Sequence, residues 1–468
     1  MSEAIAYVAD CRSSSLAALP LTKSKLPAEE RWLLGCLIFA LIVVSLPSKF
    51  LYFFGPILFA MAMLGRGEML SPSRLFGICG TLLAVSSLSI LIEVLEGTRV
   101  NPFGMLIWFV THLPILLTLS ARPSLVVSRA LIDRLVLVLS LFVLVQAAVC
   151  MIPLTLMFSH GTINGDLVSG TFGILDMIVG VTINHVFFTL CMFCILVFLW
   201  PFRRRRIVAA ALLAGAPVTI LAQSGHQVFF FVFIILLMAA ASRHGLSQAF
   251  GASVIGLILF AIMLIAYPNT LPVASMWLDK VLHNPNAPKR IAVEAVIGDM
   301  MTPKVFLIGT GLGQFSSRAA LYAGGFYANG QLPNFMIEVP EPTTDHLLPA
   351  VHRYEIVGEG SAIAKPVFSV MSLPAEMGLP LTALLVVAAS GMVFRGVLHA
   401  RSSDPERQGH GRYMVFFITF VAINSTIENY LEFVQGMFLP SILLILAAAR
   451  ARTIALAKGE SSAAGPVV

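Results

Sequence analysis

Long apolar runs dominate this sequence and constrain its fold more than any other feature. Runs of about 20 residues, enough to cross ~30 Å of hydrocarbon as a helix, recur between Trp32 and Arg450 and are separated by short polar or basic loops. Only 12% of the 468 residues are charged, with a mean hydropathy of +0.90, whereas soluble domains carry roughly 25% charged residues. The runs predict an all-α polytopic membrane protein with about twelve transmembrane helices.

Lys and Arg are distributed unevenly over the predicted loops. If the N-terminus is cytoplasmic, the cytoplasmic face receives 21 of the 30 Lys and Arg residues, and seven of the other nine lie in one long loop. The positive-inside rule gives long loops little weight, so both termini are predicted to be cytoplasmic. The first 31 residues are polar and lack the basic start and apolar core of a cleavable signal peptide. We therefore expect the helices themselves to direct insertion into the membrane.

Four consecutive arginines at residues 203–206 follow the sixth predicted span directly. This position is typical of a topogenic stop, and we favour that interpretation over a patch for nucleic acid or anionic lipid. The formal net charge of +6 therefore does not indicate a nucleic-acid partner.

The predicted outer loop between spans nine and ten is about a hundred residues long, far longer than a connector. It is too aromatic for simple disorder, so we predict a small folded cap on the external face. Its first half is predicted to be helix, turn and helix, with helical spacing over 290–301 and 316–322. The predicted organisation is an N-terminal tail (1–31), spans one to nine (32–266), the large periplasmic cap loop (267–366), spans ten to twelve (367–450) and a C-terminal tail (451–468).

The stretch Gly309-Thr-Gly-Leu-Gly313 in the cap is glycine-rich and follows an apolar run. Glycines in such a turn let backbone N–H groups approach phosphate, as in nucleotide-binding loops. The P-loop lysine is absent, however, and the loop is predicted to lie outside the cell, away from nucleotides. Two interpretations remain: Gly309, Gly311 and Gly313 allow close backbone packing, which we favour, or they form an anion-binding nest for a lipid pyrophosphate.

Several short motifs together resemble one known family. They are Arg290 at the start of a helix, the apolar residues 306–308, the glycine turn at 309–313, Glu376-Met-Gly-Leu379 at the next membrane entry, and Val168-Ser-Gly-Thr-Phe-Gly173. This pattern is similar to that of the O-antigen ligase and Wzy-type polysaccharide polymerase superfamily. The resemblance implies a GT-C-like fold in the bacterial inner membrane. It also implies metal-independent, inverting glycosyl transfer from undecaprenyl-pyrophosphate-linked glycans at the periplasmic face, with no cofactor.

Such a reaction needs cations or N–H groups to stabilise the pyrophosphate leaving group, and a base to take the proton of the acceptor hydroxyl. Arginine suits the first role because its guanidinium is always charged and can donate two hydrogen bonds to phosphate. Arg290 is the first candidate by its motif position. Arg318 and Arg353 are further candidates in the same loop, with Lys289 and Lys365 behind them.

The base is less well determined, because this chain departs from the family pattern. Relatives carry a His-Asn pair shortly before the Glu-x-Gly segment, and no histidine precedes Glu376 there. His352, next to Arg353, is the preferred base, and His346, Glu355, Glu359 and Glu376 are alternatives. A second departure lies between spans seven and eight, where relatives carry Ser-Arg and this chain carries Ser-Gly-His226. His226 can replace the arginine as a phosphate donor only when one of its N–H groups points at the phosphate.

Three functions fit these features. The first is a polymerase that joins undecaprenyl-pyrophosphate-linked repeat units into exopolysaccharide or O-antigen, with the lipid bilayer, a chain-length regulator and export machinery as partners. The second is a ligase that transfers finished glycan onto lipid A core or another acceptor. The third, from another class, is a transporter of lipid-linked glycan. Internal repeats and midplane ion pairs typical of transporters are not evident in the sequence, so we favour the polymerase.

Overall fold

The computed structural model describes residues 26–45, 49–66, 69–122, 124–160, 168–173, 184–222, 225–240, 284–317, 319–320, 339–357 and 366–459. Within these ranges the chain is helical and has no β-strand; one isolated bridge joins Leu70 and Ala121. A helix satisfies every backbone hydrogen bond within its own segment, as the hydrocarbon core of a bilayer requires. The predicted all-α class is confirmed for the described part of the chain.

The described residues form sixteen α-helices. Their bounds are α1 Ala28–Ser45, α2 Lys49–Arg66, α3 Pro72–Leu95, α4 Pro102–Thr111, α5 Leu113–Leu119, α6 Arg129–His160, α7 Asn184–Leu199, α8 Arg206–Leu221, α9 Gly225–Ala240, α10 Pro288–Ala295, α11 Pro303–Ile308, α12 Glu341–His346, α13 Leu348–Val357, α14 Ser369–Ala400, α15 Pro405–Asn424 and α16 Val434–Ala457. Short 3₁₀ turns lie at Gly170–Gly173, Trp200–Phe202 and Tyr430–Glu432, and a π turn at Val296–Met300 extends α10.

Several described helices have the length and apolar composition needed to cross a membrane. Five qualify alone: α3, α6, α7 with its following turn, α14 and α16. The pair α4 and α5 makes a sixth if it is one span bent by 60°. The chain is thus a multi-pass membrane protein, as predicted. The count of twelve stays a prediction, and the predicted ninth span, near Leu259, lies outside the described residues.

The centre of the bundle is α16. Every residue from Val434 to Ala455 in this helix is buried, and α1, α5, α7 and α15 pack around it. A helix that is apolar on all sides has no solvent-facing stripe and is stable only when surrounded. By contrast, α3 and α14 expose large apolar side chains such as Leu91 and Val387, which suits contact with lipid.

Polar residues gather at two ends of the bundle. At one end, which we call the basic end (residues 66, 69–74, 118–122, 124–134, 200–206, 399–412 and 450–459), Arg450 donates to the Val127 carbonyl at 3.1 Å and Lys458 pairs with Asp404 at 3.0 Å. At the other, the cap end (residues 93–103, 225–227, 284–317, 339–357, 366–376 and 424–435), the predicted cap loop meets the turn between α15 and α16. We call residues 425–433 the outer turn.

In the first half of the predicted cap, the first of the two predicted helices is present. The helix predicted over 290–301 is confirmed by α10 and its π turn, and the apolar run before the glycines forms the extra short helix α11. Most of the second predicted helix, 316–322, lies outside the described residues. The helices α12 and α13 occupy a Gly-, Pro- and acid-rich part of the loop for which the sequence predicts no element.

Candidate functional site

Ion pairs and backbone bonds attach the cap helices to the connection between α3 and α4. In α11, Lys304 lies 2.9 Å from Glu93 and 2.5 Å from Glu96. Burial lowers the pKa of Lys304, but its hydrogen bonds and charge interactions with the two carboxylates outweigh this effect and raise it overall. In α12, the Glu341 carboxylate accepts from the Arg99 backbone N–H, and the Glu341 N–H donates to the Arg99 carbonyl, both at 2.9 Å. The helices α11 and α12 are therefore each anchored to the connection between α3 and α4.

The cap helices also share an apolar core with the beginning of α14. Residues from α10, α11, α13 and the glycine loop pack against it, and they are Ala292, Val296, Met300, Val305, Phe315, Leu347, Ala350, Val367, Phe368, Met371 and Ala375. The amphipathic spacing of α10 creates the apolar face that this core buries. The described cap residues are thus part of the folded body of the protein.

The glycine-rich loop wraps around the Glu376 carboxylate. Glu376 is buried, and its carboxylate accepts hydrogen bonds from the backbone N–H groups of Gly313 and Phe315 at 3.0 Å and of Ser317 at 3.1 Å. Successive N–H groups that converge in this way form an anion nest. In the described structure, the anion in the nest is the protein's own glutamate.

The glycines of this loop allow backbones to approach closely. Gly309 and Gly313 have φ of 74° and 72°, values that L side chains rarely adopt. A Cβ on Gly313 would lie 2.2 Å from the backbone of Gly104, and one on Gly309 would lie 2.2 Å from the Glu376 carbonyl oxygen. These contacts favour the packing interpretation of the loop. Pyrophosphate binding by Gly309, Gly311 and Gly313 stays a prediction.

Lys289 of α10 reaches the outer turn beneath the cap. Its ammonium group donates to the Ile427 carbonyl at 2.8 Å and the Thr426 carbonyl at 3.3 Å, and it lies 4.8 Å from the Phe368 ring centroid. Burial lowers the pKa of Lys289 to about 8, although the Glu428 carboxylate nearby raises it. A positive charge is therefore held between the cap and the membrane helices.

The outer turn also contacts His226, at the start of α9. Gln227 donates its amide N–H groups to the Val186 carbonyl at 3.2 Å and to the Tyr430 hydroxyl oxygen at 2.9 Å. Since a carbonyl can only accept, the contact with Val186 assigns the amide orientation and makes Tyr430 an acceptor from Gln227. The Tyr430 oxygen lies 2.5 Å from His226 Nε2. If the tyrosine O–H donates to Nε2, the neutral imidazole carries its proton on Nδ1 and presents an N–H donor there.

Asn429 connects the outer turn to both the glycine loop and α14. Its amide donates to the Ser316 carbonyl at 2.9 Å and accepts from the Ser372 hydroxyl at 3.1 Å. Nearby, the buried hydroxyls of Ser316 and Ser425 and the side-chain oxygen of Gln227 have no hydrogen-bond partner among the described residues. Since buried polar atoms are normally satisfied, these are places where water or a ligand group can bind.

The residues predicted for the site lie in different environments. Arg290 is exposed on α10 and pairs with Glu294 at 2.7 Å, and His352 and Arg353 are exposed on α13, which packs against α10. Arg290, His352 and Arg353 are thus carried by neighbouring helices, whereas Glu376 is enclosed in the glycine loop and His226 lies at the outer turn. Arg318 and Lys365 lie outside the described residues. The roles assigned to all seven of these side chains stay predictions.

The motifs in the sequence give no role to the outer turn, which contains Glu428 and Glu432. Both are buried, as are Tyr430 and Asn429. The available signal was the polar stretch Asn424-Ser-Thr-Ile-Glu-Asn-Tyr-Leu-Glu432 between two apolar helices, which is more polar than a simple connection needs. A comparison with protein-family models finds no match, and neither does a comparison with curated proteins.

Proposed function

We propose that this protein is a polysaccharide polymerase of the bacterial inner membrane. It joins undecaprenyl-pyrophosphate-linked oligosaccharide repeat units into exopolysaccharide or O-antigen by metal-independent, inverting glycosyl transfer. The proposal includes about twelve transmembrane helices, a GT-C-like fold, cytoplasmic termini and a periplasmic position for the cap end. The resemblance of the motifs at 290, 309–313 and 376–379 supports it.

The observation that carries the proposal is the convergence of cationic and N–H-donating groups on the outer turn. Lys289 connects α10 to Thr426 and Ile427, and Tyr430 of the same turn holds His226. Arg290 is the next residue after Lys289 and lies at the surface of the cap. A lipid pyrophosphate entering from the bilayer would meet this border between the cap and the membrane helices, where donors stabilise its charge.

The reaction then follows from ordinary chemistry. A base removes the proton of the acceptor sugar hydroxyl, and the oxygen attacks the anomeric carbon from the side opposite the pyrophosphate, which leaves with its bonding electron pair. Arg290 and Arg353 are proposed to stabilise the charge that develops on the pyrophosphate. His352 is exposed next to Arg353, whereas the Glu376 carboxylate already accepts three backbone hydrogen bonds from the glycine loop that encloses it. His352 is therefore better placed than Glu376 to act as the base.

The test is reconstitution of the purified protein with lipid-pyrophosphate-linked repeat units and EDTA, with products resolved by gel. We expect a ladder of lipid-linked oligomers, and a loss of about 100-fold or more in rate for Arg290→Ala, the usual cost of one transition-state donor. The control is Arg401→Ala, an exposed arginine at the basic end, which should leave the ladder unchanged. Full activity of Arg290→Ala would remove Arg290 from the site.

The same assay separates the other two candidate functions. Transfer of glycan only after lipid A core is added would identify a ligase. If no product forms in either case, movement of the labelled lipid-linked glycan across a liposome bilayer would identify a transporter. Both outcomes contradict the polymerase.

A further inference from the structure

Arg452, near the end of α16, is a buried arginine with few contacts. It is 8% exposed, and its Nη2 donates to the Leu125 carbonyl at 2.9 Å. Among the described residues this is the one hydrogen bond of the side chain, and Nε is shielded from solvent without an acceptor. A guanidinium has five N–H donors, so four of them are unused within the described residues. Buried polar groups are normally hydrogen-bonded, so Arg452 needs further acceptors.

A second buried arginine, two residues earlier in α16, differs from Arg452 in its partners. Arg450 is 3% exposed, pairs with the Glu406 carboxylate at 2.7 Å and donates to the Val127 carbonyl at 3.1 Å. Arg452 likewise donates to a backbone carbonyl, but in the described part of the chain no carboxylate pairs with it. Taking a charge out of water is costly unless a charge of opposite sign is close. The surroundings of Arg452 therefore lack an anion.

The described carboxylates at the basic end contact other residues. Glu406 pairs with Arg450, Asp133 with Arg205 and Asp404 with Lys458, and Glu30, which reaches this end from α1, accepts hydrogen bonds from Ser128. A bound ligand is then the remaining source of negative charge for Arg452.

Arg452 lies close to the apolar surface of the protein. Leu456, four residues later on the same face of α16, is 47% exposed, and Val126, next to Leu125, is 51% exposed. The helix α16 itself is long and apolar enough to cross a membrane. An arginine that only reached for water would keep its charged group hydrated, whereas Nε of Arg452 is shielded. A guanidinium beside exposed apolar side chains at the end of a span suits a lipid headgroup.

We propose that Arg452 binds a phosphate group at the basic end, with a phospholipid headgroup as the favoured source. Whichever hydrogen of Nη2 the Leu125 carbonyl accepts, one edge of the guanidinium keeps two parallel N–H donors, which match two oxygens of a phosphate. Free phosphate offers the same oxygens, so the experiment below separates the two sources. This site goes beyond the glycosyl transfer proposed for the cap end and does not depend on it.

The experiment is native mass spectrometry of the full-length protein in detergent, titrated with phosphatidylglycerol or with diacylglycerol, which carries the same chains without the phosphate. We expect the wild type to retain one phosphatidylglycerol at concentrations where diacylglycerol is lost. Arg452→Gln should weaken this binding about tenfold or more, because it removes charge-assisted hydrogen bonds to the phosphate. The matched control is Arg401→Gln, at an exposed arginine of the same end, which should bind like the wild type.

A second variant supplies the negative charge from within the protein and leaves Arg452 in place. Leu456→Glu puts a carboxylate four residues after Arg452, where the two side chains can pair. We expect Leu456→Glu to lose phosphatidylglycerol about as strongly as Arg452→Gln does. Leu456→Gln has the same size without the charge, and it should bind like the wild type.

Inorganic phosphate separates the two sources of the ligand. Displacement of the lipid by inorganic phosphate at a similar concentration would support the phosphate site and overturn the lipid as its source. Equal retention of phosphatidylglycerol and diacylglycerol, with no binding of inorganic phosphate, would overturn the site. Wild-type binding by both Arg452→Gln and Leu456→Glu would also overturn it. An equal loss in Arg401→Gln would do the same, since it would indicate a general attraction to the basic end.

Discussion

Two buried carboxylates at opposite ends of the helix bundle, Glu406 and Glu376, are stabilised in different ways. At the basic end, the Glu406 carboxylate lies 2.7 Å from Arg450 and 3.8 Å from Arg129, so side chains of opposite charge balance one another. At the cap end, Glu376 is held by three backbone N–H groups, and Lys289 by two backbone carbonyls. Backbone dipoles solvate a charge without cancelling it. The charge of Glu376 is therefore solvated by dipoles alone in the contacts named here, whereas the Glu406 pairs form a closed scaffold.

The helix start at Asp404 shows that the basic end uses backbone hydrogen bonds as well as ion pairs to stabilise a carboxylate. The Asp404 carboxylate caps α15 by accepting from the backbone N–H groups of Glu406 and Arg407, both at 3.0 Å, and it pairs with Lys458. Burial by itself would raise the pKa of Asp404, but the Arg407 N–H and Lys458 outweigh it and lower the pKa. Its contribution to stability is present above its ordinary pKa and lost as the pH falls through the lowered value.

The largest effect is expected at the basic end from Glu406→Ala. The substitution removes the carboxylate that pairs with the buried guanidinium of Arg450. Loss of one partner of a buried ion pair typically lowers the free energy of unfolding by about 3–5 kcal/mol. We expect a large fall in the melting temperature of the detergent-solubilised protein. Glu29→Ala, an exposed glutamate in the first turn of α1, is the control and should change it little. A stable Glu406→Ala variant would show that the ion pairs do not form a scaffold.

A substitution in the glycine loop tests the cap end. Gly313→Ala adds a Cβ that overlaps the Gly104 backbone, and it places alanine at a positive φ. Together these two effects should lower the free energy of unfolding by about 3 kcal/mol. We expect the cap to detach from α4 and limited proteolysis to cut within residues 303–317. The matched control is Gly391→Ala in α14, where a Cβ would meet no atom within 4 Å. Wild-type protease resistance of Gly313→Ala would contradict tight packing here.

Glu376→Gln separates a structural from a catalytic carboxylate. The glutamine amide keeps the shape of the carboxylate, but its N–H₂ group faces backbone N–H donors and cannot accept their hydrogen bonds. We therefore expect the free energy of unfolding to fall by about 2 kcal/mol. The melting temperature should fall together with any transfer activity. Glu29→Gln, at an exposed glutamate of α1, is the control. Unchanged stability with lost transfer would instead identify Glu376 as the base.

The smallest effect concerns Lys289 and alkaline pH. Because its pKa is lowered in the folded protein to about 8, from an ordinary value of 10.5, the unfolded chain binds more protons between these values. Stability should therefore rise as the pH increases through this window. We expect the melting temperature of the wild type, relative to Lys289→Met, to increase by a few degrees between pH 8 and 10. If the difference in melting temperature between the wild type and Lys289→Met stays constant from pH 8 to 10, burial does not lower the pKa of Lys289.

Much of the architecture was predictable because it depends on local properties. Run length and apolar composition predict the helical, multi-pass class, and the spacing over 290–301 predicts α10. The helices α12 and α13 were not predictable, since their Gly-, Pro- and acid-rich surroundings lack a helical pattern and they are held by contacts with α10 and the Arg99 backbone. Within the candidate site, motif position drew attention to Arg290 and the glycines, but it could not show that Glu376 fills the loop.

The sequence by itself determined that the long apolar runs are helical, and which turn must contain glycine. Only the tertiary structure decided the partners of the buried polar groups. Gly313 and Glu376 are 63 positions apart, Lys289 and Ile427 are 138 apart, and His226 and Tyr430 are 204 apart. Periodicity acts over a few residues, whereas these contacts form only when packing of the apolar helices brings distant loops to the same end of the bundle.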